Sequence, residues 1–249
     1  IENIDFLEFK KSLWSLCLSL FISNTLLSSK KFNKIHKNDK YQIIRYKKER
    51  DFEGLIKSIN YIKNSKKVES EIQYAVKIFL SRTNWKCIGS GINYNIAKFA
   101  SKRLVKEINR SCAFDVLENH KHIDISAESS LLIFVSNIFR SGYQSDAYAE
   151  IEKLTSHNNV PIIITNIGDT RFDKFYIDIE DRNGVKNNLS VPVIKIPKID
   201  EQFSYTANVL VVEKFIQFMK EYIASDSISL FEKTAIARPS KEKFFENIW

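Results

Sequence analysis

An α/β fold is what this sequence predicts: a five-stranded parallel sheet in a three-layer αβα sandwich, with further helices in front. Three observations carry that expectation. Residues 85–88, 112–116, 131–135 and 160–165 are short, near-continuous apolar runs, the signature of strands covered on both faces. Between such runs apolar residues recur at helical spacing, as in Ile96, Phe99, Ala100, Leu104 and Ile108 within residues 95–110, and again within residues 143–154. The connections are rich in small and hydroxyl residues, notably Gly89-Ser90-Gly91 after the first run and Ser136, Ser141, Gly142 and Ser145 after the third. Strand, turn and helix in alternation imply parallel strands joined by right-handed crossovers.

The 249 residues, 44% of them hydrophobic, are enough for one large domain with a leading extension. The division expected is residues 1–68, an N-terminal helical segment and basic linker, followed by residues 69–249, the main domain with its tail. The apolar stretch at residues 13–22 is shorter than the roughly 20 residues a membrane span needs. Glu2, Asp5 and Glu8 precede it, which does not suit a signal sequence, so a buried helix and no membrane partner are expected. Residues 30–67 hold 13 Lys or Arg against 4 Asp or Glu, more than the whole net charge of +8. That block lacks the interleaved aromatic and Gly pattern of an RNA-binding motif and reads as a solvated linker rather than a nucleic-acid interface. Two amphipathic helices follow, at residues 51–64 (Phe52, Leu55, Ile56, Ile59, Ile62) and 68–80 (Ile72, Ala75, Val76, Phe79).

Beyond the fourth strand, residues 175–179 are expected to supply the fifth, residues 181–189 a polar excursion, and residues 191–196 a short hydrophobic segment. Residues 205–223 then form an apolar helix (Val209, Val212, Phe215, Ile216, Met219) that needs a cover, which favours a homodimer. Cys17, Cys87 and Cys112 are odd in number and form no Cys-x-x-Cys pair, so reduced core thiols and a cytoplasmic setting are expected. His120, His122 and Asp124 share one face of an extended segment, but with no third imidazole or thiolate nearby no metal is expected.

A doubly wound sheet binds ligands at the carboxyl ends of its strands, where the winding reverses. With a flavodoxin-like strand order, strands one and three flank that crevice, and the loops at their ends are Gly89-Ser90-Gly91 and residues 136–145. Hydroxyls, exposed amides and the positive end of the helix starting near Tyr143 make a receptor for phosphate. The competing account is ordinary turn chemistry, since Ser and Gly are common in loops for steric reasons.

At these residues the sequence resembles the sugar isomerase (SIS) phosphosugar-binding family. Gly89-Ser90-Gly91 matches the family's first turn. Ser141-Gly142-Tyr143-Gln144-Ser145-Asp146 follows its phosphate loop, with extra residues after Ser136 and with Tyr143 and Gln144 where the family carries Glu and Thr. A strand ending in Thr165-Asn166 follows in the same order. Within the family the chain is most similar to the isomerase half of glucosamine-6-phosphate synthase, which holds two such domains in tandem. The match is to the second, and residues 10–27 look like the end of the first.

The resemblance implies a hexose phosphate ligand of the fructose 6-phosphate or glucosamine 6-phosphate type, aldose–ketose isomerisation and a homodimer. It also implies an upstream SIS domain, or a glutaminase domain for ammonia, and no cofactor. Carried onto this sequence, substrate falls to Gly89, Ser90, Gly91, Ser136, Asn137, Ser141, Gly142 and Ser145. Glu107 becomes the proton carrier, with Glu118 as the alternative, and His122 opens the ring. Lys106-Glu107-Ile108 fits with a one-residue shift; without it, Lys106 takes the place of the base. The tail segment Arg238-Pro239-Ser240-Lys241-Glu242-Lys243 resembles a C-terminal loop that contributes a Lys, either Lys241 or Lys243. Two other readings stay open: a sugar-phosphate sensor or regulatory subunit without turnover, and a nucleic-acid-associated regulator using the basic block.

Overall fold

The computed structural model describes residues 10–11, 14–15, 18, 39–118, 129–137, 143–157, 159–180 and 186–225. In chain order they form α1 (Asp39–Asn64), α2 (Lys66–Phe79), β1 (Asn84–Gly89), α3 (Ile92–Ile108), β2 (Cys112–Asp115), β3 (Ser129–Phe134), α4 (Tyr143–Ser156), β4 (Val160–Asn166), β5 (Tyr176–Glu180), β6 (Lys186–Ser190), β7 (Val193–Ile196) and α5 (Ser204–Ser225). Five strands make one parallel sheet in the order β2-β1-β3-β4-β7. Every residue of β3 and β4 is buried, as strands sandwiched between two helical layers must be. The architecture is the flavodoxin-like three-layer sandwich.

The fifth strand differs from the expected one. β5 leaves the sheet and pairs antiparallel with β6, placing Tyr176 opposite Ser190. Its pattern explains this, because Tyr176 is 58% exposed while Ile177 is 5% exposed, so only one face is covered. β7 takes the edge position beside β4, with Ile194 and Ile196 fully buried.

Two expectations for the front of the chain are also revised. The basic stretch from Asp39 onward is not a linker but the first half of α1, in keeping with the helix propensity of its Lys, Arg, Gln and Glu residues. Trp14 and Leu18 lie in helical backbone but are 73% and 51% exposed, so the helix expected to be buried there does not bury these two side chains.

α1 docks through Leu55, Ile59 and Ile62, and its end is held by Lys214 of α5. The Lys214 ammonium donates to the carbonyls of Ile62 and Lys63, both at 2.9 Å, satisfying acceptors that a helix end otherwise leaves open. Burial lowers the pKa of that ammonium. α3 ends at Asn109, whose left-handed backbone lets its N–H reach the Val105 carbonyl at 3.0 Å. α3 and α5 are joined by Arg103, which donates to both carboxylate oxygens of Glu213 at 2.8 and 2.9 Å.

Cys87 and Cys112 are free and buried with sulfurs 3.7 Å apart, and burial pushes the Cys87 thiol up. Among the described residues no helix is long and apolar enough to cross a membrane.

Candidate functional site

The winding reverses between β1 and β3, which lie side by side at the centre of the sheet, so the crevice opens above their carboxyl ends. Gly89 closes β1 against the first turn of α3. A Cβ there would sit 2.4 Å from the Asn93 carbonyl oxygen and 2.7 Å from its carbon, both backbone atoms. Gly91, the N-cap of α3, has φ 58° and ψ −127°, a conformation open to Gly and strained for other residues. These two positions let the chain turn sharply enough to place Ser90 in the mouth of the crevice. Gly89→Ala is expected to destabilise the fold by about 1 to 3 kcal/mol through overpacking, measured as a lower midpoint in urea unfolding.

Ser90 is buried and its hydroxyl sits between two partners beyond β2. It accepts from the Leu117 N–H at 3.2 Å and donates to the Glu118 carboxylate. Glu118 itself is exposed, so a carboxylate is held at the rim next to the amino end of α3. The residue pair couples the β1 turn to the β2 turn.

Under the rim lies a network of buried amides and hydroxyls. Asn93 donates to the Ser136 carbonyl at 2.9 Å, tying the first turn of α3 to the end of β3. Ser136 Oγ donates to Asn208 Oδ1 at 3.1 Å, and Asn208 Nδ2 donates to Ser204 at 2.9 and 3.0 Å. Asn137, at φ 58°, receives a hydrogen bond from Asn166 Nδ2 on its side-chain oxygen at 2.8 Å and returns one from its backbone N–H to Asn166 Oδ1 at 2.7 Å. The same Asn137 oxygen accepts from the Ile199 N–H at 3.0 Å. The side chains of Ser136 and Asn137 therefore hold the end of β3 in place, with their polar groups turned inward.

The structure brings Gly89, Ser90, Gly91, Ser136, Asn137 and Glu118 to one edge of the sheet. Glu107 is not among them. It lies in the last turn of α3, about 22 Å along the helix from Ile92 at 1.5 Å per residue. There its carboxylate is paired with Lys220 and with Arg103, whose hydrogen bonds hold it below the usual carboxylate range. Glu107, expected as the proton carrier, thus stands at the end of α3 far from the β1 turn, with its carboxylate engaged in these pairs. Lys106, the other register, lies in the same turn. Ser145 falls in the first turn of α4. His122, Ser141, Gly142, Lys241 and Lys243 lie outside the described residues, as do His120 and Asp124.

Asn93, Ser204 and Asn208 were not singled out from the sequence, although a signal existed. Asn208 stands inside the run Ala207-Asn208-Val209-Leu210, and a lone amide among buried apolar residues must find partners.

Past β4, Thr165 and Arg171 both donate to Asp169, at 2.8 Å from the hydroxyl and at 2.7 and 2.9 Å from the guanidinium. Burial raises the Asp169 pKa, but the hydrogen bonds from Arg171 and Thr165 outweigh it and the net shift is downward. A depressed carboxyl adds stability that is present above its unfolded pKa, near 3.9, and is lost as pH falls through the folded value. Wild type is therefore expected to be more stable than Asp169→Asn at pH 7, with the gap in urea midpoint closing below about pH 4.

Among solved structures, the C-terminal domain of a glucosamine-fructose-6-phosphate aminotransferase from Francisella tularensis superposes with a TM-score of 0.53 at 11% identity. The match covers 77% of this chain and 48% of that one, so the chain spans about half its length. Vibrio vulnificus NanR in complex with ManNAc-6P gives 0.51 at 11% identity, over 83% of this chain and 71% of that one. A protein from Escherichia coli CFT073 gives 0.50 at 14% identity, over 76% of this chain and 96% of that one. No protein-family profile and no curated protein matches the sequence. The likeness is therefore one of fold, and the fold is that of the sugar isomerase domains.

Proposed function

We propose that this domain, built on the sugar isomerase fold, binds a hexose phosphate in the crevice between β1 and β3 and interconverts its ketose and aldose forms. One observation supports it above the others: the Glu118 carboxylate is held by Ser90 at the topological switch point, beside the amino end of α3. The phosphate lies toward the amino end of α4, near Ser141, Gly142 and Ser145, where helix amides and hydroxyls favour a dianion. The reacting carbons lie toward Ser90. Glu118 takes the proton from C1 of the open-chain ketose while the C2 carbonyl oxygen gains a proton from water, giving an enediol, and returns its proton to C2 while the O1 hydroxyl gives its proton back to water. His122 opens the ring, and Lys241 or Lys243 supplies a cation. A homodimer completes the site, and ammonia for amino-sugar formation comes from a separate domain.

A second reading, a sensor that binds without turnover, draws on the removal of Glu107 into an ion-pair cluster. Calorimetric titration with fructose 6-phosphate and glucosamine 6-phosphate, followed by an interconversion assay with and without ammonia, separates the two. Binding with turnover is expected; binding without it selects the sensor, and no binding overturns both. Light scattering at twice the monomer mass is the expected result for the homodimer.

A further inference from the structure

We propose that Asn166, at the carboxyl end of β4, is a positioning residue for ligand binding, acting through Asn137 at the end of β3. The inference rests on the crevice reading above and adds the residue that sets the geometry of its β3 lip. Three features carry it. Asn137 adopts φ 58°, a left-handed conformation with a cost for a residue that has a Cβ, so it needs fixed partners. Asn166 supplies two of them at once, accepting the Asn137 N–H at 2.7 Å and donating to its side-chain oxygen at 2.8 Å. Asn166 is itself anchored, with the same amide nitrogen reaching the Pro197 carbonyl at 3.3 Å and the Ile196 carbonyl at 3.5 Å. The carboxyl ends of β3, β4 and β7 are thus joined through one side chain that stands a strand away from the crevice.

An amide, with one acceptor and one donor on the same head, meets both demands at neutral pH. Ala supplies neither bond, and Asp at neutral pH keeps the acceptor while turning its second oxygen on the Asn137 oxygen, two acceptors face to face. On protonation that oxygen becomes a donor and the pair is restored. Burial raises the pKa of an Asp at this position, which brings the change into an accessible range.

The test uses the full chain and fructose 6-phosphate. Asn166→Ala is expected to weaken binding roughly 10- to 100-fold, the scale of a misplaced binding geometry. Asn166→Asp is expected to show a similar loss at pH 7.5 that shrinks several-fold at pH 5. Taking each value relative to wild type at the same pH cancels the titration of the ligand phosphate and of Asp169 with Arg171.

Asn159→Ala is the control. Its side-chain oxygen accepts the Ser129 N–H at 3.1 Å, a comparable tie between strand ends at the opposite edge of the sheet. It is expected to lower the melting temperature and leave affinity within twofold.

Hydrogen exchange at the Asn137 amide in ligand-free protein reads the positioning directly, and it is expected to accelerate at least tenfold in Asn166→Ala but not in Asn159→Ala. Unchanged exchange at Asn137, unchanged affinity in both Asn166 variants, or an equal loss in Asn159→Ala overturns the inference. Absence of fructose 6-phosphate binding by wild type overturns the crevice reading instead, and the exchange result still decides the role of Asn166 in holding the β3 end.

Discussion

Glu213→Ala is expected to lower the free energy of unfolding by about 3 kcal/mol, toward the lower end of the range for breaking a buried ion pair. Arg103 and Glu213 join α3 to α5 through two hydrogen bonds of 2.8 and 2.9 Å, and their side chains are only 15% and 5% exposed. Removal of the carboxylate leaves the guanidinium desolvated with Glu107 as its remaining charged partner among the described residues, and that residual pairing keeps the loss from being larger. The physics also fixes the sign of a second variant. Arg103→Met combined with Glu213→Leu removes both charges together, leaves no orphan, and is expected to recover most of the loss. Urea unfolding of the three proteins at pH 7 is the measurement; a Glu213→Ala variant as stable as wild type would contradict the expected cost of leaving the Arg103 guanidinium without this partner.

Glu118→Gln is expected to cut sugar-phosphate turnover by roughly 10² to 10⁴, the usual worth of a positioned acid–base group. Gln keeps an oxygen able to accept the Ser90 hydroxyl, so binding and fold are spared and the loss falls on kcat. Glu107→Gln is the contrast. With its carboxylate paired to Arg103 and Lys220 at the far end of α3, it is expected to leave kcat within about twofold while lowering stability slightly. A Glu107→Gln enzyme without activity, beside a fully active Glu118→Gln, would reverse the assignment.

Legibility varied with the physical signal available. β1, β3 and β4 were readable because their burial on both faces forces continuous apolar sequence, and their ends fell within two residues of the expected ones. β7 was harder, since Val193 and Lys195 are only half buried at a sheet edge, and a four-residue segment has little room for a pattern. The Tyr176 strand imitated a core strand by carrying Ile177 and Ile179, and only the exposure of Tyr176 reveals the hairpin.

At the site, the turn at Gly89 to Gly91 was legible because only Gly tolerates both the close approach to Asn93 and the positive φ. The choice between Lys106 and Glu107 was not, because a one-residue shift in an amphipathic helix leaves the sequence pattern almost unchanged while moving a side chain by about 100°. The meeting of Ser90 with Glu118 was equally hidden, since the two are 28 residues apart and come together only when β1 and β2 pair. The amide network was also out of reach, since Asn93, Asn137, Asn166 and Asn208 come from four separate elements and meet only when the sheet is assembled.

The most direct test of the central claim is amide chemical-shift mapping by NMR during titration with glucosamine 6-phosphate, with unphosphorylated glucosamine as the control. Shifts are expected to cluster at Ser90, Gly91, Ile92, Asn137 and Glu118, with a much weaker response to glucosamine. Shifts confined to another surface, such as the hollow lined by Glu71, Tyr74, Asp173 and Lys195, or no saturable shift at millimolar ligand, would contradict the placement of a phosphosugar site between β1 and β3.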